Sequence, residues 1–187
     1  MNWETRWESD LSPEEHRAIA DLLRDSLGGV RAEDAEHFQG ARSWAGARPE
    51  FRLVLRDDCG VLAHIGVLRR HLRIGERDQL VGDLGLFAIR PDRQRTGLGS
   101  ALLTELRGVL FRLDLPFGFL GCRPELVPFY ERNDWHLLPS DVRVRYIDNR
   151  DPWTIVTLQE PAFVQPLRSP LAAWPKGDLI DRNGLEV

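Results

Sequence analysis

The sequence predicts an α/β (α+β) fold: a mixed, largely antiparallel sheet flanked by helices, with a parallel βαβ unit at its centre. Three observations carry this. Between Phe51 and Ile89, three β-rich stretches are separated only by the turns Asp57-Asp58-Cys59-Gly60 and Gly75-Glu76-Arg77-Asp78, the pattern of an antiparallel meander. The third stretch runs into a glycine-bearing turn, Gln94-Arg95-Thr96-Gly97-Leu98-Gly99-Ser100, that opens a helix-like run from Ala101 to Leu113. A buried-strand pattern follows at Phe117 to Cys122. Strand, crossover helix and strand imply parallel neighbours.

In chain order, Asn2 to Trp7 reads as a first edge strand, with Trp3 and Trp7 packing inward. Ser12-Pro13-Glu14-Glu15 has the form of a capping box with Pro at the first helical position. Ile19, Leu22, Leu23 and Leu27 recur behind it at helical spacing, and Gly28-Gly29 ends the helix. Residues 30–49 show no sustained period and read either as a functional loop or as a solvated connection anchored by Trp44. The meander occupies Phe51 to Leu55, Val61 to Ile74 and Gln79 to Ile89. His64 lies mid-strand and reads as a satisfied sheet histidine in preference to a catalytic one. Past the crossover helix, Pro124 to Arg132 is a short helix, and Arg143 to Tyr146 and Thr154 to Leu158 are two more strands around a charged loop from Asp148 to Pro152. From Glu160 onward the chain is rich in proline and turn residues.

Composition narrows the function classes. A chain of 187 residues, 42% hydrophobic and 29% charged, fits one soluble globular domain with a complete core. Its net charge of −4 argues against a nucleic-acid partner and suits a cationic one. Only one of the 25 cationic side chains is Lys (Lys176), and no function follows from that. Cys59 and Cys122 form neither a CxxC pair nor a disulfide framework, so reduced thiols and a cytoplasmic location are expected. The start is no signal peptide, and no apolar run approaches the roughly 20 residues that span a bilayer. No membrane partner and no metal are expected.

The glycine turn carries the chemistry. Main-chain N–H groups feeding a helix N-terminus bind anions, and Gly97 and Gly99 let a phosphate approach the backbone closely. A triphosphate-hydrolysing loop needs Gly-Lys-Ser/Thr here, and no lysine is present. A dinucleotide site needs its glycines at the start of a βαβ unit, not after three antiparallel strands. Gln94-Arg95-Thr96-Gly97-Leu98-Gly99 after a β meander instead resembles the acyl-CoA pyrophosphate signature of the GNAT N-acetyltransferase superfamily. The segment Phe129-Tyr130-Glu131-Arg132-Asn133-Asp134-Trp135 is similar to that superfamily's FYxxxGF motif, with Asp134 in place of the usual Gly. The order of elements matches the GNAT plan across most of the chain.

Two groups within the superfamily stand out. Phe38 to Glu50 and Trp174 to Gly184 are similar to rhizobial nodulation N-acyltransferases. The intact turn and the Tyr130 segment look more like aminoglycoside 2′-N-acetyltransferases, whose chain also closes on a Trp-x-x-Gly-Asp pattern. Both acylate an amine on a sugar, so the resemblance implies an enzyme that acetylates a small amino-sugar acceptor, an aminoglycoside antibiotic being the first expectation. Acetyl-CoA is the implied cosubstrate, transfer is direct, and a homodimer is a possible assembly. Residues 1–187 are then a single acyltransferase domain, with 160–187 contributing to the acceptor site.

Residue roles follow from the same resemblance. Tyr130 is the implied general acid for the leaving sulfur. Asp83 falls where many members place a carboxylate base; in the aminoglycoside group that Glu would fall at Gly85, on the same strand face. Water or another carboxylate therefore stays open as the base. The Phe87 N–H would polarise the acyl carbonyl. Ile89 would pair with pantetheine, Ala88 would bind the cofactor beside it, and Gln94, Arg95, Thr96, Gly97, Leu98, Gly99 and Ser100 would hold the pyrophosphate. Glu36, Trp44, Asp141, Asp178 and Asp181 are candidates for binding the amino sugar. Two rivals remain: a nodulation-type transferase that loads a fatty acyl chain onto a glucosamine oligomer, and a noncatalytic acyl-CoA-binding module.

Overall fold

A computed structural model describes residues 2–27, 37–145 and 154–187. The chain divides into two compact units that share strands and a helix. Unit 1 comprises Met1–Leu68, Gly85–Leu106 and Val187, and unit 2 comprises Arg69–Leu84 and Arg107–Glu186.

Unit 1 is built on the meander. Strand β1 (Asn2–Trp7) runs antiparallel to β2 (Phe51–Asp57), placing Trp3 opposite Leu55 and Trp7 opposite Phe51. β2 pairs antiparallel with the first part of β3 (Gly60–Ile74). Helix α1 (Pro13–Leu27) starts on the expected capping box: the Glu15 N–H donates to Ser12 Oγ at 3.2 Å and the Ser12 N–H to Glu15 Oε2 at 2.9 Å. Its Ile19, Ala20, Leu22 and Leu23 bury against Phe38, Val54, Val61, Leu86, Ala88 and Val187. The inward placement expected of Trp7 does not hold. It stays 36% exposed, its ring tilted on Phe51 at 5.4 Å, because it sits at the end of an edge strand.

Unit 2 continues both hairpin strands. β4 (Arg77–Ile89) pairs in parallel with β5 (Phe117–Gly121) over Gly82–Leu84, so the parallel neighbours are present. The crossover helix α2 (Leu98–Arg112) links them, and a 3-10 turn leads into the short α3 (Val127–Glu131). Three strands went unforeseen: β6 (His136–Leu138), β9 (Ala162–Pro166) and β10 (Leu179–Asp181). With β7 (Asp141–Arg145) and β8 (Ile155–Leu158), the strand order is β6-β9-β5-β4-β3-β10-β7-β8. β9 lies antiparallel between β5 and β6, which explains its burial despite the flanking prolines. The second core gathers Leu72, Ile74, Val81, Phe117, Phe119, Val142, Val164 and Ile180. No helix among the described residues is long and apolar enough to cross a membrane.

Candidate active site

The glycine turn has the form an anion cradle needs. After β4, Pro91–Arg93 makes a 3-10 turn, and residues 91–97 are exposed. Arg95 at φ 61° and Gly97 at φ 87° bend the main chain back on itself before α2 begins at Leu98. The turn is stapled from within: Gln94 Nε2 donates to Ile89 O at 3.1 Å and Thr96 Oγ1 to Arg93 O at 2.7 Å. The Ala101 N–H is the first to bond back, to Gly97 O at 3.1 Å. The N–H groups of Leu98, Gly99 and Ser100 thus lead the helix with no intrahelical acceptor. Dipole and N–H groups together favour a pyrophosphate.

Upstream, Phe87, Ala88 and Ile89 lie at the end of β4, with Ala88 and Ile89 buried. The Ile89 carbonyl already accepts from Ser26 Oγ at 3.1 Å as well as from Gln94. Its two lone pairs are engaged, so pantetheine has no acceptor left on it.

In unit 2, Tyr130 is 4% exposed, with its ring against Phe129, Trp135 and Phe163 at 5.1, 6.1 and 5.5 Å. Burial raises its phenol pKa, so it stays a proton donor across the working range. Asp134, the departure from the FYxxxGF pattern, adopts φ 62°. Glycine adopts this left-handed conformation freely, and Asp tolerates it better than most residues. Burial likewise pushes the Cys122 thiol up to about 12, with Glu160 and Glu125 adding to the effect. A thiol held protonated is no nucleophile, which accords with direct transfer.

Asp83 is fully buried, so it is not a charge on an exposed sheet face. Arg70 Nε lies 3.1 Å from Oδ2 and Arg182 Nη2 3.4 Å from Oδ1. Their N–H groups are not aligned on the carboxylate, so these are ion pairs without hydrogen bonds. Burial raises the Asp83 pKa, and Arg182 and Arg70 offset this only in part. Arg182 also pairs with Glu186 and lies 5.2 Å over the Phe119 ring. Burial opposes the Arg182 charge, but Asp83 and Glu186 outweigh it. Arg70 donates to the carbonyls of Arg182 and Leu185 at 3.3 and 2.8 Å. The cluster therefore ties the tail to β3 and β4. No single sequence segment announces it.

Gly85 explains why no carboxylate stands two residues on. A Cβ there would lie 2.9 Å from the Val187 carbonyl carbon and closer still to its oxygen. Main chain already fills the space that a Glu side chain would need.

The acceptor candidates separate. Asp178 and Asp181 share a depression of about 260 Å³ with Arg73, Gly75, Arg143 and Leu179. Asp181 is already paired with Arg143 at 2.5 Å and accepts the Asn183 N–H at 2.8 Å, so it acts first as a structural anion. Asp141 lines a different depression of about 370 Å³ beside Leu137, Leu138 and Glu160. Trp44 sits edge-on to His16 at 5.9 Å, with the Arg48 guanidinium 3.8 Å over its ring. Glu36, Gly28-Gly29 and the Asp148–Pro152 loop lie outside the described residues.

Comparison with known proteins decides between the two sugar-acylating groups. A family model described as "Nodulation protein A (NodA)" matches residues 1–187. The chain belongs to the nodulation protein A family. It is 40% identical over 196 residues to nodulation protein A of Bradyrhizobium sp. (strain ANU 289), covering 100% of this chain and 92% of that protein. The protein of the same name from Mesorhizobium plurifarium is 38% identical over 195 residues, covering 100% and 98%. In structure, a GNAT family acetyltransferase from Brucella melitensis, solved in complex with acetyl-CoA, aligns at TM-score 0.54 and 20% identity over 72% of this chain and 83% of that one. The fold is of the GNAT type.

These findings overturn the aminoglycoside expectation. The physical reason is that the intact turn and the Tyr130 segment, which favoured it, concern coenzyme A and the leaving sulfur. They carry no information about the acceptor. The two segments that resembled nodulation acyltransferases, Phe38 to Glu50 and Trp174 to Gly184, lie in the family that matches.

Proposed function

We propose that the chain transfers a fatty acyl group from its coenzyme A thioester to a free amine of a glucosamine oligomer. The observation that carries this is the family match along all 187 residues, taken with relatives named nodulation protein A. The anion-binding form of the Gln94–Ser100 turn supports the donor side, and it would serve acetyl-CoA equally because it reads only phosphates.

In this reading the Phe87 N–H polarises the thioester carbonyl and Tyr130 protonates the sulfur as it leaves. Asp83, enclosed by Arg70 and Arg182, takes the amine's proton only by way of water. Trp44, Asp141, Asp178, Asp181 and Glu36 are the acceptor candidates, and 160–187 serves the acceptor as part of one domain. A cytoplasmic homodimer completes the reading and is checked by light scattering. The functional test is a matrix of acetyl- and longer acyl-CoA donors against glucosamine oligomers and aminoglycosides, read by product mass. Expected is a long acyl increment on the oligomer. Acetylated aminoglycoside, or no turnover on any amine, refutes the proposal.

A further inference from the structure

One buried polar chain in unit 1 is not used by the mechanism above. It begins at Glu8, whose carboxylate accepts from Arg52 Nε at 2.8 Å and Nη2 at 3.3 Å. Arg52 is completely buried and also donates from Nη1 to Ser43 O at 2.9 Å. The same Nη1 lies 3.1 Å from Nε2 of His64, which is itself fully buried in β3. On the other side of the ring, His64 Nδ1 lies 2.9 Å from the carbonyl oxygen of Leu86 in β4.

The donor and acceptor roles in this chain are forced. A guanidinium only donates, so Nε2 must accept. A carbonyl only accepts, so Nδ1 must carry the hydrogen. His64 is thus a neutral imidazole in a single tautomer, and burial beside Arg52 keeps it so by lowering its pKa to about 3.

The carbonyl it holds is an unusual one. Leu86 has φ 55° inside a strand, a conformation that a leucine does not adopt unless its surroundings impose it. The next peptide link is trans, as are all those described. In a trans peptide the C=O and the following N–H point in opposite directions within one rigid plane. Fixing the Leu86 oxygen on His64 therefore fixes the direction of the Phe87 N–H, away from the ring.

We propose that His64 is a positioning residue for acyl transfer: its Nδ1–H bond to the Leu86 carbonyl holds the Leu86–Phe87 peptide plane so that the Phe87 N–H aims at the thioester carbonyl oxygen. The inference rests on the role given to Phe87 in the proposed function. Arg52 and Glu8 act one step further back, by fixing the tautomer.

A pair of amide variants separates this role from simple core packing. In His64→Asn the side-chain NH2 falls near the position of Nδ1, so the bond to Leu86 survives. In His64→Gln it falls near Nε2, and that bond is lost. With acyl-CoA and a glucosamine oligomer, His64→Asn is expected to keep kcat within about fivefold, and His64→Gln to lose on the order of a hundredfold, the usual effect of losing one oxyanion donor. Acyl-CoA affinity, measured by calorimetry without acceptor, stays unchanged in both. Equal kcat in the two variants, or losses that merely follow their melting temperatures, overturns the proposal.

A second measurement needs no turnover. Nitrogen-15 NMR of the wild-type chain should show His64 protonated at Nδ1 alone from pH 5 to pH 9 (about the range the fold should tolerate). Adding acetyl-CoA should shift the Phe87 amide resonance in the wild type and His64→Asn, and much less in His64→Gln. An Nε2-protonated ring, or the same Phe87 response in both variants, overturns the proposal even if no acceptor is ever found. Conversely, the expected NMR pattern without turnover counts against the proposed acceptor and leaves the positioning role standing.

Discussion

Substituting Gly85 by Ala tests how tightly the tail is seated on β4. The added Cβ would stand 2.9 Å from the Val187 carbonyl carbon and 3.0 Å from its Cβ, with the carbonyl oxygen nearer still. The obstacle is main chain, so no rotamer change relieves it, and Val187 must retreat by about 1 Å or leave. Val187 is 8% exposed and packs with Val61, Leu86 and Ala88. Expelling a buried valine side chain costs about 1.5–3 kcal/mol. At about 2–4 °C per kcal/mol for a chain of this size, Tm should fall by roughly 3–12 °C. Gly108→Ala is the control: its Cβ meets only the mobile end of Arg112, at 3.4 Å, within helix α2. Ala in place of a helical Gly should raise Tm by about 1–4 °C. Differential scanning calorimetry of both variants is the assay. Gly85→Ala melting within about 1 °C of the wild type would refute the seating of Val187 on Gly85.

Three further outcomes follow from the site. Tyr130→Phe should lower kcat by about a hundredfold or more with acyl-CoA affinity unchanged, and the wild-type rate should show no alkaline loss from this phenol up to about pH 10, since burial raises its pKa; unchanged turnover removes it from the acid role. Arg182→Ala leaves the Asp83 carboxylate buried with one partner fewer and should cost about 3–5 kcal/mol, a Tm loss of roughly 6–20 °C in thermal unfolding. Asp83 has a folded pKa above its unfolded value, so its stabilising share is complete below the unfolded pKa and is lost as pH rises through the folded one. Losing Arg182 widens that window, so the deficit relative to the wild type should be larger at about pH 8 than at about pH 5. Gly97→Val forces a β-branched residue to φ 87° in a turn with open space around it; weaker acyl-CoA binding by about tenfold with kcat preserved is expected in titration calorimetry and steady-state kinetics.

What could be read from the sequence was whatever is contiguous. The meander declared itself because two short turns separate three β-rich runs, and the crossover helix because Leu102, Leu103, Leu106, Val109, Leu110 and Leu113 lie on one face; all but the half-buried Leu113 are buried. The cofactor turn is seven consecutive residues, so its composition stated its chemistry. Three short strands were illegible: β6 and β10 span three residues each, too few for periodicity, and β9 is bracketed by Pro161 and Pro166. Their strand character comes from partners distant in sequence. The Asp83–Arg70–Arg182–Glu186 cluster and the Glu8–Arg52–His64–Leu86 chain are likewise assembled from scattered segments. His64 reads correctly as a satisfied sheet histidine, but nothing near it in sequence names Leu86 as what it holds. The acceptor was misassigned because the clearest motifs concern the donor, which both sugar-acylating groups share.

The central claim is that a free amine on a glucosamine oligomer receives a long acyl chain. It is tested most directly by offering one long-chain acyl-CoA to two oligomers of equal length, one with a single free amine and one fully N-acetylated, and weighing the products. The account predicts one added acyl chain on the first and none on the second. Acylation of both oligomers, or of neither while coenzyme A is still bound, would contradict it.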